Sequence, residues 1–101
     1  MPLPVRWSTF KEDKVSAEEN YYGVYELGDN RGQIVYIGQG RVRDRLISHL
    51  IGKSHPIERA AKYRKEFTGG KQRAEEVERA ELRAYANTHN GYLPPYNNRL
   101  G

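Results

Sequence analysis

The sequence predicts an α+β domain, a small three-stranded sheet (antiparallel or mixed) flanked by helices in the order β-β-α-α-β-α. Three observations carry this. Two runs rich in aromatic and β-branched residues, 21–27 and 33–37, flank a glycine-bounded turn and so form an antiparallel hairpin. The apolar pattern then switches to helical spacing from Val42. Residues 72–87, rich in Ala, Glu and Arg with no Gly or Pro, form the longest helix. At 101 residues the chain is one domain, and a chain of that size buries roughly 65% of the surface its unfolded form exposes.

Taken in order, residues 1–19 lack clear periodicity and read as an amino-terminal arm ahead of a domain at 20–101. Trp7 and Phe10 pack the arm onto the domain, and 11–19 is a polar connector or short helical turn. Gly28-Asp29-Asn30-Arg31-Gly32 supplies the hairpin turn. Gly38-Gln39-Gly40 lets the chain turn into a helix over 42–51, where Val42, Leu46, Ile47 and Leu50 form the buried stripe. Gly52 stops it, Ser54 is a candidate cap, and Pro56 opens a second helix to about residue 62. Residues 63–68 alternate as a short third strand, Gly69-Gly70 breaks it, and the tail from Gly91 is irregular.

Composition narrows the chemistry. The absence of cysteine excludes disulfides, thiolate zinc sites and thiol nucleophiles. No apolar run approaches the roughly 20 residues of a membrane span, and the polar, proline-bearing start does not read as a signal peptide. A cytoplasmic protein is therefore expected. The net charge of +4 is uneven: residues 1–30 carry three basic and six acidic side chains, the remainder fourteen and seven. Eleven of the cations are arginine, whose planar fork matches phosphate oxygens, and Arg41, Arg43 and Arg45 crowd together. A polyanionic partner is the favoured reading over a merely solvated basic surface.

Several side chains are candidates for chemistry. Tyr25 and Tyr36 stand eleven residues apart on the two hairpin strands, so both phenols can face one side. With eight tyrosines in the chain, plain strand packing is the competing reading. A phenol can position a water or, with nearby cations and metal, remove its proton. Arg45 and His49 share a helix face beside the buried Leu46 and Leu50. That arginine can brace a pentavalent phosphate and that histidine can hydrogen-bond a phenol or a phosphate oxygen, against a competing reading as solvated surface. His55 and His89 are isolated and receive no role. On the long helix most glutamates offset Arg73, Arg79 and Arg83, but Glu81 sits among Val77, Ala80, Ala84 and Tyr85 and should face the sheet. A carboxylate there needs a partner, either a hard divalent ion or a salt bridge to Arg45 or another arginine.

In this order the parts resemble the GIY-YIG nuclease family. The matches are Gly23-Val24-Tyr25, Tyr36-Ile37-Gly38, Arg45, His49, Glu81 and Asn97, spanning residues 23–97. Pro95-Tyr96-Asn97 looks like the Pro-x-Tyr-Asn ending of the excision-repair branch, offset by one residue. The Tyr36-to-Arg45 interval is one residue shorter than the family pattern, which demands a tight glycine turn. The third strand is more polar than usual. Glu78 competes for the glutamate slot, where apolar neighbours and the distance to Asn97 favour Glu81.

The resemblance implies a metal-dependent endonuclease that hydrolyses DNA phosphodiester bonds in repair, recombination or mobile-element processing. Tyr25 would activate or orient the water, Tyr36 and His49 would assist its deprotonation, and Arg45 would stabilise the charged phosphorane-like state. Glu81 would hold Mg²⁺ or Mn²⁺. Gln39, Arg41 and Arg43 would contact the substrate backbone, and Asn97 would help order the site. The partner would be duplex or branched DNA, not a membrane, with a second copy of the chain or a protein partner supplying specificity. One rival is a catalytically weak or inactive nucleic-acid-binding module on the same fold. The other is a small basic RNA-associated protein whose tyrosines stack.

Overall fold

A computed structural model describes residue 3 and residues 5–97. The elements run β1 (Ser8–Thr9), α1 (Glu12–Ser16), β2 (Tyr22–Gly28), β3 (Ile34–Arg41), α2 (Val42–Ser48), β4 (Lys62–Phe67) and α3 (Lys71–Asn87). The class is α+β as expected, but the sheet has four strands rather than three, in the order β1-β4-β2-β3. Every pairing is antiparallel. The added strand comes from the arm, where Ser8 and Thr9 pair with Tyr63 and Lys62. Two residues are too few to show a period, so only the unpaired edge of β4 selects them.

The hairpin is the frame. Asp29 closes its turn by accepting hydrogen bonds from the Arg31 and Gln33 amides. β3 does not end at Ile37. It continues to Arg41, pairing Gly40 with Gly23 and Arg41 with Tyr22, and α2 starts at the next residue. The tight glycine turn is therefore absent, and the short Tyr36-to-Arg45 interval is spanned by extended chain running straight into helix.

The second expected helix is also absent. Between α2 and β4 the chain is a series of turns whose backbone groups are bound elsewhere. The His55 amide donates to the Ser48 carbonyl (2.9 Å), Ile57 to His49 (3.0 Å) and Ala61 to Gly28 (2.8 Å). The Ala61 amide, which a helix from Pro56 would need for its own ladder, is thus spent on β2, and the other two tie the segment back to the end of α2. The Ser54 hydroxyl pairs with the His55 ring and caps nothing.

Alternation along β2 gives the sheet two covered faces. On one, Tyr25, Leu27, Val35 and Tyr36 pack with Val15 of α1, Val42 and Leu46 of α2, and Ile57. Ile47 and Leu50 pack against this cluster, as the predicted stripe required. On the other, Val24, Ile37 and Leu3 pack beneath Val77, Leu82 and Tyr85 of α3. The arm is thus part of the fold. Phe10 meets Tyr63 edge to face, and Trp7 lies 3.9 Å from the Arg64 guanidinium.

Candidate active site

The first face gathers the candidate side chains Tyr25, Tyr36, Arg45 and His49. Tyr25 and Gly38 are partners across the hairpin. A Cβ at Gly38 would fall 2.5 Å from the Tyr25 hydroxyl and 2.7 Å from the Tyr36 ring, so only glycine lets the Tyr25 ring lie across β3. The two phenol rings are 6.1 Å apart. Gly40, at φ 136°, does the same for the arginine: a Cβ there would meet the Arg45 stem at 2.9 Å. The two glycines of β3 make room for one phenol and one guanidinium.

His49 follows the last turn of α2 and is 2% exposed. Its Nδ1 lies 2.9 Å from the His55 carbonyl, an atom that can only accept, so Nδ1 carries the proton. Nε2 is left as the acceptor, and the Tyr25 hydroxyl donates to it at 2.8 Å. The irregular segment where a helix was expected thereby fixes the histidine tautomer. Burial drives the His49 pKa from 6.5 to about 4, with the Arg45 and His55 charges adding to it, so the ring is neutral at physiological pH. Burial also pushes the Tyr25 phenol far above its ordinary value, Tyr36 reinforcing this and Arg45 opposing it. Burial works against the Arg45 charge, but interaction with Tyr25 and then Tyr36 lifts its pKa overall. A cavity of about 290 Å³ opens on this group, lined by Tyr36, Arg45, His49, His55, Ile57 and Tyr96. Tyr25 stands behind it, fully buried.

The two glutamates part company. Glu78 interacts electrostatically with Arg45, and its charge is felt at Tyr25. It is half-buried, and burial raises its pKa, with Glu75 adding to the effect and Arg79 and Arg45 opposing it. Glu81 does turn toward the sheet, but to Glu26 and Arg64 on the other face. Burial, then a hydrogen bond with Glu26, lifts it to about 7. It lines a larger cavity, about 780 Å³, with Ile34, Ile37, Arg64 and Tyr85. The salt bridge to an arginine left open for Glu81 does not form among the described residues: Arg64 pairs with Glu26, and Glu81 shares a hydrogen bond with that same carboxylate.

The other expected residues are spread around this group. Asn97 accepts from the Ile37 amide and donates to its carbonyl, both at 2.9 Å, and so pins the outer edge of β3 rather than offering its amide to a ligand. Gln39 holds a buried Oε1 with no hydrogen-bond partner. Arg41 is exposed, 5.2 Å from the Tyr22 ring, and Arg43 is half-buried on α2. Two features escaped the sequence reading. One is the His55 carbonyl, which carries no side-chain signal. The other is Glu26, which is fully buried, accepts from Arg64 Nε (2.7 Å) and the Leu3 amide (3.1 Å), and looks from β2 alone like an outward-facing strand residue.

Among the described residues no group of three or more His, Cys, Asp or Glu is placed to hold a metal ion. One hard ion on a single carboxylate, waters and substrate phosphate remains compatible with the residues present. Glu78, half-buried and within electrostatic reach of Arg45 and Tyr25, is the better fit of the two, whereas Glu81 is already engaged with Glu26 on the other face. The orphaned Gln39 Oε1 is a further acceptor without a partner. Among the described residues no helix is long and apolar enough to cross a membrane.

No curated protein matches the chain. A family model matches residues 1–86, most of the molecule, and the chain therefore belongs to the family described as a domain of unknown function (DUF7508).

Proposed function

We propose that this protein is a divalent-metal-dependent endonuclease of the GIY-YIG type, acting on DNA phosphodiester bonds, with Glu78 in place of Glu81 as the metal ligand. The observation that carries the reading is the Tyr25–His49 hydrogen bond, fixed in one direction, beside an arginine that shares the cavity wall with Tyr36 and whose charge acts on both phenols. Ordinary strand packing needs neither the fixed tautomer nor the neighbouring cation.

In this reading Tyr36 and Arg45, on the cavity wall, orient a water and the phosphate. The water oxygen bonds to phosphorus as the bond to the leaving oxygen breaks. The water proton passes to the Tyr25 oxygen while Tyr25 hands its own proton to His49 Nε2. A concerted relay suits a phenol whose ionised form is disfavoured by burial, since no free phenolate forms. The phosphate's negative charge, close to His49, raises the affinity of the ring for that proton. Arg45 stabilises charge on the non-bridging oxygens. Mg²⁺ or Mn²⁺ held by Glu78 would supply further neutralisation of the phosphate and the leaving oxygen. Gln39, Arg41 and Arg43 contribute backbone contacts, which position without reading sequence.

Complete burial of Tyr25 favours a second reading, an inactive or feeble module that binds nucleic acid through the same surface. The test is cleavage of labelled duplex, flap and four-way-junction DNA with Mg²⁺, Mn²⁺ or EDTA. Metal-dependent cleavage reduced at least 100-fold in both Glu78→Ala and Tyr25→Phe, but within about tenfold of wild type in Glu81→Ala, is expected. Binding without cleavage of any substrate would make the module the answer. Loss in Glu81→Ala alone would return the metal to that residue.

A further inference from the structure

The entry to β2 and the end of β4 carry an aromatic pair that the core does not use. Tyr21 is 60% and Phe67 36% exposed, with ring centroids 5.4 Å apart at 71°, edge to face. Phe67 pairs with Gly23 across the β2–β4 ladder. Cations adjoin the patch. Lys65 Nζ lies 5.5 Å from the Phe67 centroid while bridging Glu18 at 3.2 Å, and Arg41 covers the next ring, Tyr22. Arg41 and Arg43 form no ion pair among the described residues.

The geometry points to a base-stacking platform formed by Tyr21 and Phe67, which makes DNA with unpaired bases next to the cleaved bond the substrate class. This inference rests on the endonuclease reading of the neighbouring site. An exposed aromatic face flanked by cations suits a nucleobase and its phosphate, because every base has a π-face and stacking is indifferent to sequence. Bases in an intact duplex are already stacked on one another and cannot use it. The platform is tied to the candidate site through the backbone: the Val42 amide, opening α2, donates to the Tyr21 carbonyl at 2.9 Å, and Arg45 follows one turn later. Tyr21 and Tyr25 are four strand residues apart, roughly 13 Å at about 3.3 Å each. A strand stacked on the platform thus lies within a few nucleotides of the phenols, with Arg41 and Arg43 beside its path.

The test places 2-aminopurine in the single-stranded arm of a flap and follows its fluorescence in EDTA, with affinities for the flap and for blunt duplex measured alongside. Wild type is expected to quench the probe. Tyr21→Leu and Phe67→Leu, which keep apolar bulk but remove the π-face, are expected to lose the quench. In each, the ratio of flap to duplex affinity should fall about tenfold. Circular dichroism and thermal midpoints establish that both variants are folded. An unchanged quench, or an unchanged affinity ratio in folded variants, overturns the platform. Cleavage separates the two ideas. Quenching by a wild-type protein that cleaves nothing with any metal removes the endonuclease and leaves the platform. Metal-dependent cleavage with no preference for unpaired arms removes the platform and leaves the endonuclease.

Discussion

His49, the partner of Tyr25 in the proposed relay, also sets an acid limit on stability. Its pKa is about 4 in the fold against 6.5 ordinarily, so between those values the unfolded chain binds more protons than the folded one. Stability is therefore full above pH 6.5 and declines as pH falls toward 4, by on the order of 3 kcal/mol. Urea midpoints at pH 7 and pH 4.5 check this: His49→Gln should flatten the decline, and an equally steep variant would mean another group is responsible. Gly38 is the second decisive residue. Because a Cβ there would sit 2.5 Å from the Tyr25 hydroxyl, Gly38→Ala must displace a buried phenol. The expected cost is about 1–3 kcal/mol of stability, together with loss of the Tyr25–His49 contact in NMR spectra of the imidazole protons.

At the scale of elements, the hairpin and α3 were legible and the connection between α2 and β4 was not. Residues 21–27 and 33–37 advertise strands through composition, and α3 was expected at 72–87 against Lys71–Asn87 observed. Pro56 after a serine reads locally as a helix start, yet its neighbours' amides are taken by Ser48, His49 and Gly28, which are remote in sequence. The glutamates of α3 show the same limit. Glu78 and Glu81 differ by one turn of a helix, and which of them comes within electrostatic reach of Arg45 depends on how α3 is seated, not on its own pattern. The contact of arm, β2 and β4 yields a further expectation. Arg64 pairs with the buried Glu26 and stacks on Trp7, so Arg64→Ala strands a carboxylate and should cost about 3–5 kcal/mol. Emission of Trp7, the chain's one tryptophan, reads the loss directly as a red shift under native conditions.

For the whole molecule, charge is the property that matters for a nucleic-acid partner. With the surplus of cations past residue 30 and the run Arg41, Arg43, Arg45, the proposed binding to DNA would depend on phosphate contacts. Affinity should fall linearly on a log–log plot against salt, and Arg43→Gln should reduce the slope by about 0.9. Fluorescence anisotropy across 50 to 200 mM salt measures it, and an affinity indifferent to salt would exclude this mode of binding.

The sequence by itself determined the α+β class, the hairpin, the long helix, the basic half and the identity of the groups at the first face. Each of these rests on local pattern: alternation, helical spacing, turn residues and charge count. Only the tertiary structure decided the fourth strand, the tautomer of His49, the burial of Glu26, and the separation of Glu78 from Glu81. Those depend on which surface covers which. A two-residue strand exists because β4 has an open edge. A histidine has one free lone pair because a loop carbonyl meets its other nitrogen. A strand glutamate is buried because α3 and Leu3 close over it.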